Sequence, residues 1–119
     1  MFKWDNYLNL AKEIALKDGE EFKRSAISRA YYSAFHNTRL FLEQKGLSYT
    51  KQDHVHSFVW DTIGKLPGEA KKISAKEDRL KYRRAQADYD NELSGLNGLT
   101  NASIQDAEYI NNTIKKMSN

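Results

Sequence analysis

Two short stretches of this chain carry residue types that handle phosphate and protons. In the first, Arg29, Tyr32, His36 and Arg39 recur at intervals of three or four residues. In the second, Arg83 and Arg84 are followed by Asp88 and Tyr89. A guanidinium holds phosphate with two parallel N–H donors, and an imidazole exchanges protons near neutral pH without help from its surroundings. A carboxyl group at about pKa 3.9, or a phenol at about 10, needs a large shift to do the same work. Arg84 is therefore the candidate phosphate ligand and His36 the candidate acid–base group, with Asp88 and Tyr89 as substitutes close to Arg84. A plainer reading stands beside each. His36 and Tyr32 would hydrogen-bond across a packed interface, and Arg84 would form an i,i+4 pair with Asp88 that steadies its own helix.

Charge around Arg84 is uneven. Residues 65–84 hold eight basic side chains against three acidic ones, in a chain whose formal net charge is only +3. Lys76, Arg79, Lys81, Arg83 and Arg84 are the candidates for contact with a nucleic-acid backbone, which such a stripe attracts; the alternative is a solvated helix face. Other chemistries find little to work with. There is no cysteine, which excludes disulfides, thiolate nucleophiles and cysteine-based zinc sites. His54 and His56 stand two apart, so on a helix they do not face each other. Metal binding is not expected, and one of the two is expected to cap or pack at a helix start. No glycine-rich phosphate loop and no Ser-His-Asp order is present, and no cofactor is expected.

The elements that must position these groups read as helical. Residues 25–45 contain no Gly or Pro, and Gly46 follows as the residue just past a helix end. Ile27, Ala30, Tyr31, Ala34, Thr38, Phe41 and Leu42 fall on one face as a core stripe. Arg29, Tyr32, His36, Arg39 and Glu43 line the other, and a helix with aromatic or apolar groups on both sides is central in its fold. Residues 4–17 predict a preceding helix closed by Asp18-Gly19. Ser48, Thr50 and Asp53 offer caps for a third helix over about 54–65, and Leu66-Pro67-Gly68 is the clearest break. The fourth helix starts directly after that break or, by preference, at Ser74, where Ser74-Ala75-Lys76-Glu77 has the form of a capping box. Its inward stripe is Ile73, Leu80, Arg84 and Ala87, so Arg84 needs a partner or a site. Residues 90–98 read as a loop. A fifth helix follows over about 100–117, with Thr100 or Ser103 as its start signal and Ile104, Ala107, Ile110, Ile114 and Met117 inward.

The expectation is a single all-α domain over residues 1–119, an antiparallel bundle of four to five helices. Mean hydropathy is −0.80, and neither a membrane-spanning run nor a signal-peptide pattern is found. A cytoplasmic protein is expected.

The stretches SAISRAYYSAFHNTRLFLEQKG and RLKYRRAQADYD, with a His-containing helix between them and a last helix of the QDAEYINNTI type, resemble the HEPN superfamily. Within it, they are similar to small stand-alone bacterial and archaeal proteins carrying R-A-Y-Y-x-x-F-H and R-x-x-A-D-Y motifs. The resemblance implies a bundle of about five helices that forms a homodimer around the motif helices. It also implies RNA or a nucleotide as ligand, or a cognate minimal nucleotidyltransferase as partner, in a toxin–antitoxin or defence setting. Many members are metal-independent RNases in which an Arg is followed four to six residues later by a His. Here Asp88 or Tyr89 stands where that His would be, and no His occurs after His56. The expected function is accordingly a HEPN-type binding module. The alternatives are a metal-independent RNase using Arg84 with His36, Asp88 or Tyr89, and a non-catalytic structural dimer.

Overall fold

The computed structural model describes residues 1–49 and 54–118. Five helices follow one another along the chain: α1 (Asp5–Ile14), α2 (Glu20–Gln44), α3 (Val55–Lys65), α4 (Ile73–Tyr89) and α5 (Leu96–Met117). A 3-10 turn at Gly68–Lys72 joins α3 to α4. The architecture is an all-α bundle in which α2 touches each of the other four helices. With 25 residues at ~1.5 Å each, α2 runs most of the 42 Å length of the molecule. All seven residues of its expected core stripe are buried. Phe35 and Ser33 are buried as well, so the apolar arc is wider than one stripe. Among the described residues, no helix is long and apolar enough to cross a membrane.

Helix ends follow from local chemistry. At the end of α2, Gly46 adopts φ +78°; the amides of Leu47 and Gly46 then bond the carbonyls of Leu42 and Glu43 at 2.9 and 3.0 Å, closing the helix as a Schellman turn. α4 departs from the preferred start. It begins at Ile73, directly after the 3-10 turn, and Ser74 lies inside it. Ala70 and Ile73 are both fully buried, so packing draws in the segment ahead of Ser74, and Glu77 is buried in the inward stripe instead of serving a cap. α5 starts four residues earlier than expected, after Gly95 at φ +66°. Thr100 and Ser103 are not start signals, because each hydroxyl donates to the carbonyl four residues back, Leu96 or Leu99, at 2.7 Å. That interior bond satisfies a hydroxyl without a helix terminus. The N-cap of α3 is His54, without a side-chain capping bond; Thr50 and Asp53 lie outside the described residues.

Arg24 supplies a tie with no sequence-local signal. From α2 its Nη1 donates to the carbonyls of Ala87 and Asp90 at 3.0 and 2.6 Å, satisfying carbonyls that the end of α4 leaves open. This fixes the C-terminal half of α4, with Arg84, against α2.

Candidate functional site

Three helices meet at Tyr31. Its side chain on α2 is fully buried, and Trp60 of α3 donates its indole N–H to the Tyr31 hydroxyl at 3.0 Å. The same hydroxyl lies 2.7 Å from Nδ1 of His56, also on α3. From α4, the Arg84 guanidinium rests 5.1 Å from the Tyr31 ring centre. The backbone beneath is held by packing: Val59, Trp60 and Ile63 bury one face of α3, and Ile73 and Leu80 anchor α4. Tyr32, one residue on, is half-buried and lies near two cations, Arg29 at 5.7 Å and Arg84 at 6.0 Å. Arg29 in turn sits over Tyr7 of α1 at 4.6 Å. Beside this group, a groove of about 430 Å³ runs between α2 and α4, lined by Glu21, Arg24, Ser25, Ser28, Arg29, Ala87 and Asp88, two carboxylates among them.

The electrostatics isolate one charge. Among the described residues, the Arg84 Nε is buried without a partner, and its Nη1 reaches only Asp88 Oδ2, at 3.4 Å. The Tyr31 phenol and the imidazoles near it are uncharged near neutrality. Burial pushes the Tyr31 phenol up to about 12. Burial, reinforced by the charges of Arg84 and Lys81, lowers the His56 imidazole. Burial first, then Arg39 and His56, lowers His36 to about 4. On the same stripe of α4, burial and a hydrogen bond that the protonated carboxyl donates to Asp78 raise Glu77 to about 8, and its Oε2 is buried without a partner among the described residues. A guanidinium over aromatic rings, with one carboxylate at 3.4 Å, keeps part of its attraction for an anion.

No family model, curated protein or solved structure matches this chain. The HEPN resemblance thus rests on its motifs, and what the site can do follows from its geometry. Arg84, Asp88, Tyr32 and Arg29 come together. His36 stands at the edge of the group: it stacks on Trp4 at 3.8 Å, accepts a bond from Arg39 Nε at 3.1 Å, and is separated from Arg84 by the rings of Tyr32, 6.1 Å away, and Phe35, 5.1 Å away. Arg39 also pairs with Glu43 at 3.0 Å. Tyr89 is 76% exposed at the end of α4, outside the cluster around Tyr31. The basic stripe divides. Arg83, Arg79 and Lys76 converge on Asp106 of α5, at 2.9, 3.6 and 3.9 Å, whereas Lys81 is exposed on the side of His56. Among the described residues, no group of three or more His, Asp or Glu side chains is placed to hold a metal ion.

Two members of the site were reachable from sequence by a different route. His56, Val59, Trp60 and Ile63 recur at helical spacing, which puts His56 on the buried face; considering it only with His54 hides this. Glu77 completes the Ile73–Leu80–Arg84 stripe in the same way. Asp106 has a weaker signal, next to Ala107 on the inward face of α5.

Proposed function

We propose that the protein is a HEPN-type module that binds RNA through its phosphate backbone, at the face where Arg84 and Arg29 flank Tyr32. The observation that supports it is the state of Arg84: a guanidinium seated on two aromatic rings and, among the described residues, held by a single 3.4 Å contact to a carboxylate. The Nη nitrogens, one of them held only at 3.4 Å by Asp88, are the donors that a phosphate oxygen can take. Releasing Asp88 costs little, because a long, partly exposed pair contributes at most about 1 kcal/mol. Ser25 and Ser28 in the adjoining groove add hydroxyl donors, and the Tyr32 ring offers a face on which a base can stack. The resemblance adds a homodimer and a partner nucleotidyltransferase in a toxin–antitoxin or defence setting.

Titration of a fluorescein-labelled single-stranded RNA, read by anisotropy at two salt concentrations, tests the reading. Arg84→Ala weakens binding about tenfold or more, which corresponds to ~1.4 kcal/mol, while Arg79→Ala, whose cation is engaged with Asp106, changes it less than about twofold. Equal affinities for wild type and Arg84→Ala overturn the reading. RNA cleavage in EDTA that disappears in Arg84→Ala favours the nuclease alternative instead.

A further inference from the structure

We infer that Trp60 and Tyr31 hold His56 in its Nε2–H form, so that this imidazole is a second donor to the phosphate that Arg84 binds. The inference rests on the RNA-binding reading for its ligand, and on the hydrogen bonds alone for the state of the ring.

The tautomer follows from counting protons. The Trp60 indole nitrogen is a donor only, so at 3.0 Å the Tyr31 oxygen accepts from it. Tyr31 has one proton of its own, and the acceptor within reach is Nδ1 of His56 at 2.7 Å. With its lone pair engaged there, Nδ1 carries no hydrogen, and a neutral imidazole must then carry it on Nε2. The reverse arrangement, Nδ1–H donating to Tyr31, sends two donors to the phenol oxygen and strands the phenol proton in a fully buried site. The ring stays neutral because burial and the nearby cations Arg84 and Lys81 oppose a further positive charge. Phe35 stacks on it at 4.2 Å and fixes its plane.

The imidazole is close enough to Arg84 to feel its charge. Both residues touch Tyr31, one at the hydroxyl and the other over the ring, and Nε2 lies across the imidazole from Tyr31. An imidazole N–H together with a guanidinium N–H matches two oxygens of one phosphodiester. The same arrangement denies His56 the role of a base at Nε2, since that position already bears a proton. It is a binding residue, and Tyr31 and Trp60 are positioning residues.

Two measurements separate the parts. Long-range ¹H–¹⁵N spectra of uniformly labelled protein at pH 7 read the tautomer directly: wild type shows a protonated Nε2 and a bare Nδ1 for His56, and Tyr31→Phe shows a mixture. An Nδ1–H form in wild type, or an unchanged spectrum in Tyr31→Phe, overturns the relay. In the RNA titration, His56→Ala and His56→Phe, the second keeping an aromatic ring against Phe35, weaken binding three- to tenfold. His56→Gln, which keeps an N–H near the Nε2 position, stays within about twofold of wild type. Full affinity in both His56→Ala and His56→Phe, with Arg84→Ala impaired, overturns the donor role and leaves the RNA site standing. Full affinity in Arg84→Ala as well overturns both. Thermal melts establish which variants fold, and the wild-type spectrum decides the tautomer even where none of them does.

Discussion

Arg83 and Arg84 are neighbours with the same charge, and one helix delivers them to opposite circumstances. A step of about 100° along α4 turns Arg83 toward α5, where it lies 2.9 Å from Asp106 with Arg79 and Lys76 close by. The same step turns Arg84 toward α2, where among the described residues it finds aromatic rings, one carboxylate at 3.4 Å and nothing for its Nε. The first cation is spent on holding two helices together. The second retains unused donor capacity. A basic stripe in a sequence is thus two populations, sorted by what lies opposite each position.

The contrast is tested hardest by removing Asp106. Asp106→Ala leaves Arg83, only 12% exposed, without its carboxylate, and the expected cost is about 3 kcal/mol, the lower end for breaking a buried pair, read as a shift in the urea midpoint. The variant should still bind RNA at temperatures where it is folded. Arg84→Ala is expected to reverse the pattern, with about 1 kcal/mol lost from stability, a fall on the order of 4 °C in melting temperature, and the tenfold loss of RNA affinity. If Arg84→Ala destabilises more than Asp106→Ala, the division of the stripe is wrong. Arg24→Ala releases the carbonyls at the end of α4 and is expected to cost about 1 kcal/mol, with a smaller loss of affinity as Arg84 loosens.

Glu77 sharpens the comparison from the side of acid–base chemistry. Its carboxyl titrates near 8 in the folded chain against an ordinary 4.5. Between those values the folded chain keeps a proton that the unfolded chain has lost, so stability falls as pH rises through the window. His36 runs the other way: its pKa drops from 6.5 to about 4, and its contribution is lost as pH falls through that lower range. Above pH 6.5 the Glu77 effect is the one of these two that persists. Glu77→Gln should therefore flatten the decline in melting temperature between pH 6.5 and 8, and an unchanged slope would show that the carboxyl is ionised throughout. The smallest effect is expected at Arg79. Half exposed, it shares Asp106 with the closer Arg83 and with Lys76, and Arg79→Ala should cost no more than about 0.5 kcal/mol.

Helical periodicity carried the fold. The stripe 27–30–31–34–38–41–42 alone identifies α2 as central, because burial on a helix repeats every three to four residues, and Gly46 marks the end where a positive φ was required. Starts were less legible. At Ser74, Thr100 and Ser103 the residue type that caps a helix also serves inside one, and burial of Ala70 and Ile73 decided the first case. In the site, Arg84 stood out because a charge on an apolar stripe demands an explanation. The fates of Arg83 and His56 were not visible, since each depends on a residue from another helix, Asp106 and Tyr31, more than twenty positions away. Sequence spacing reports the face of a helix, and only the packed chain reports what that face meets.

The placement of the two tryptophans gives the molecule its own optical readout. Trp4 lies flat against His36, and Trp60 is joined through the Tyr31 hydroxyl to His56. One indole therefore stands at each end of the face that carries Arg84. A ligand settling there changes the polarity around both emitters, and Trp4→Phe leaves the buried one to report alone. Wavelength and intensity of the native emission would then register occupancy of the inner half of the face separately from the outer half, with no dye attached to protein or RNA.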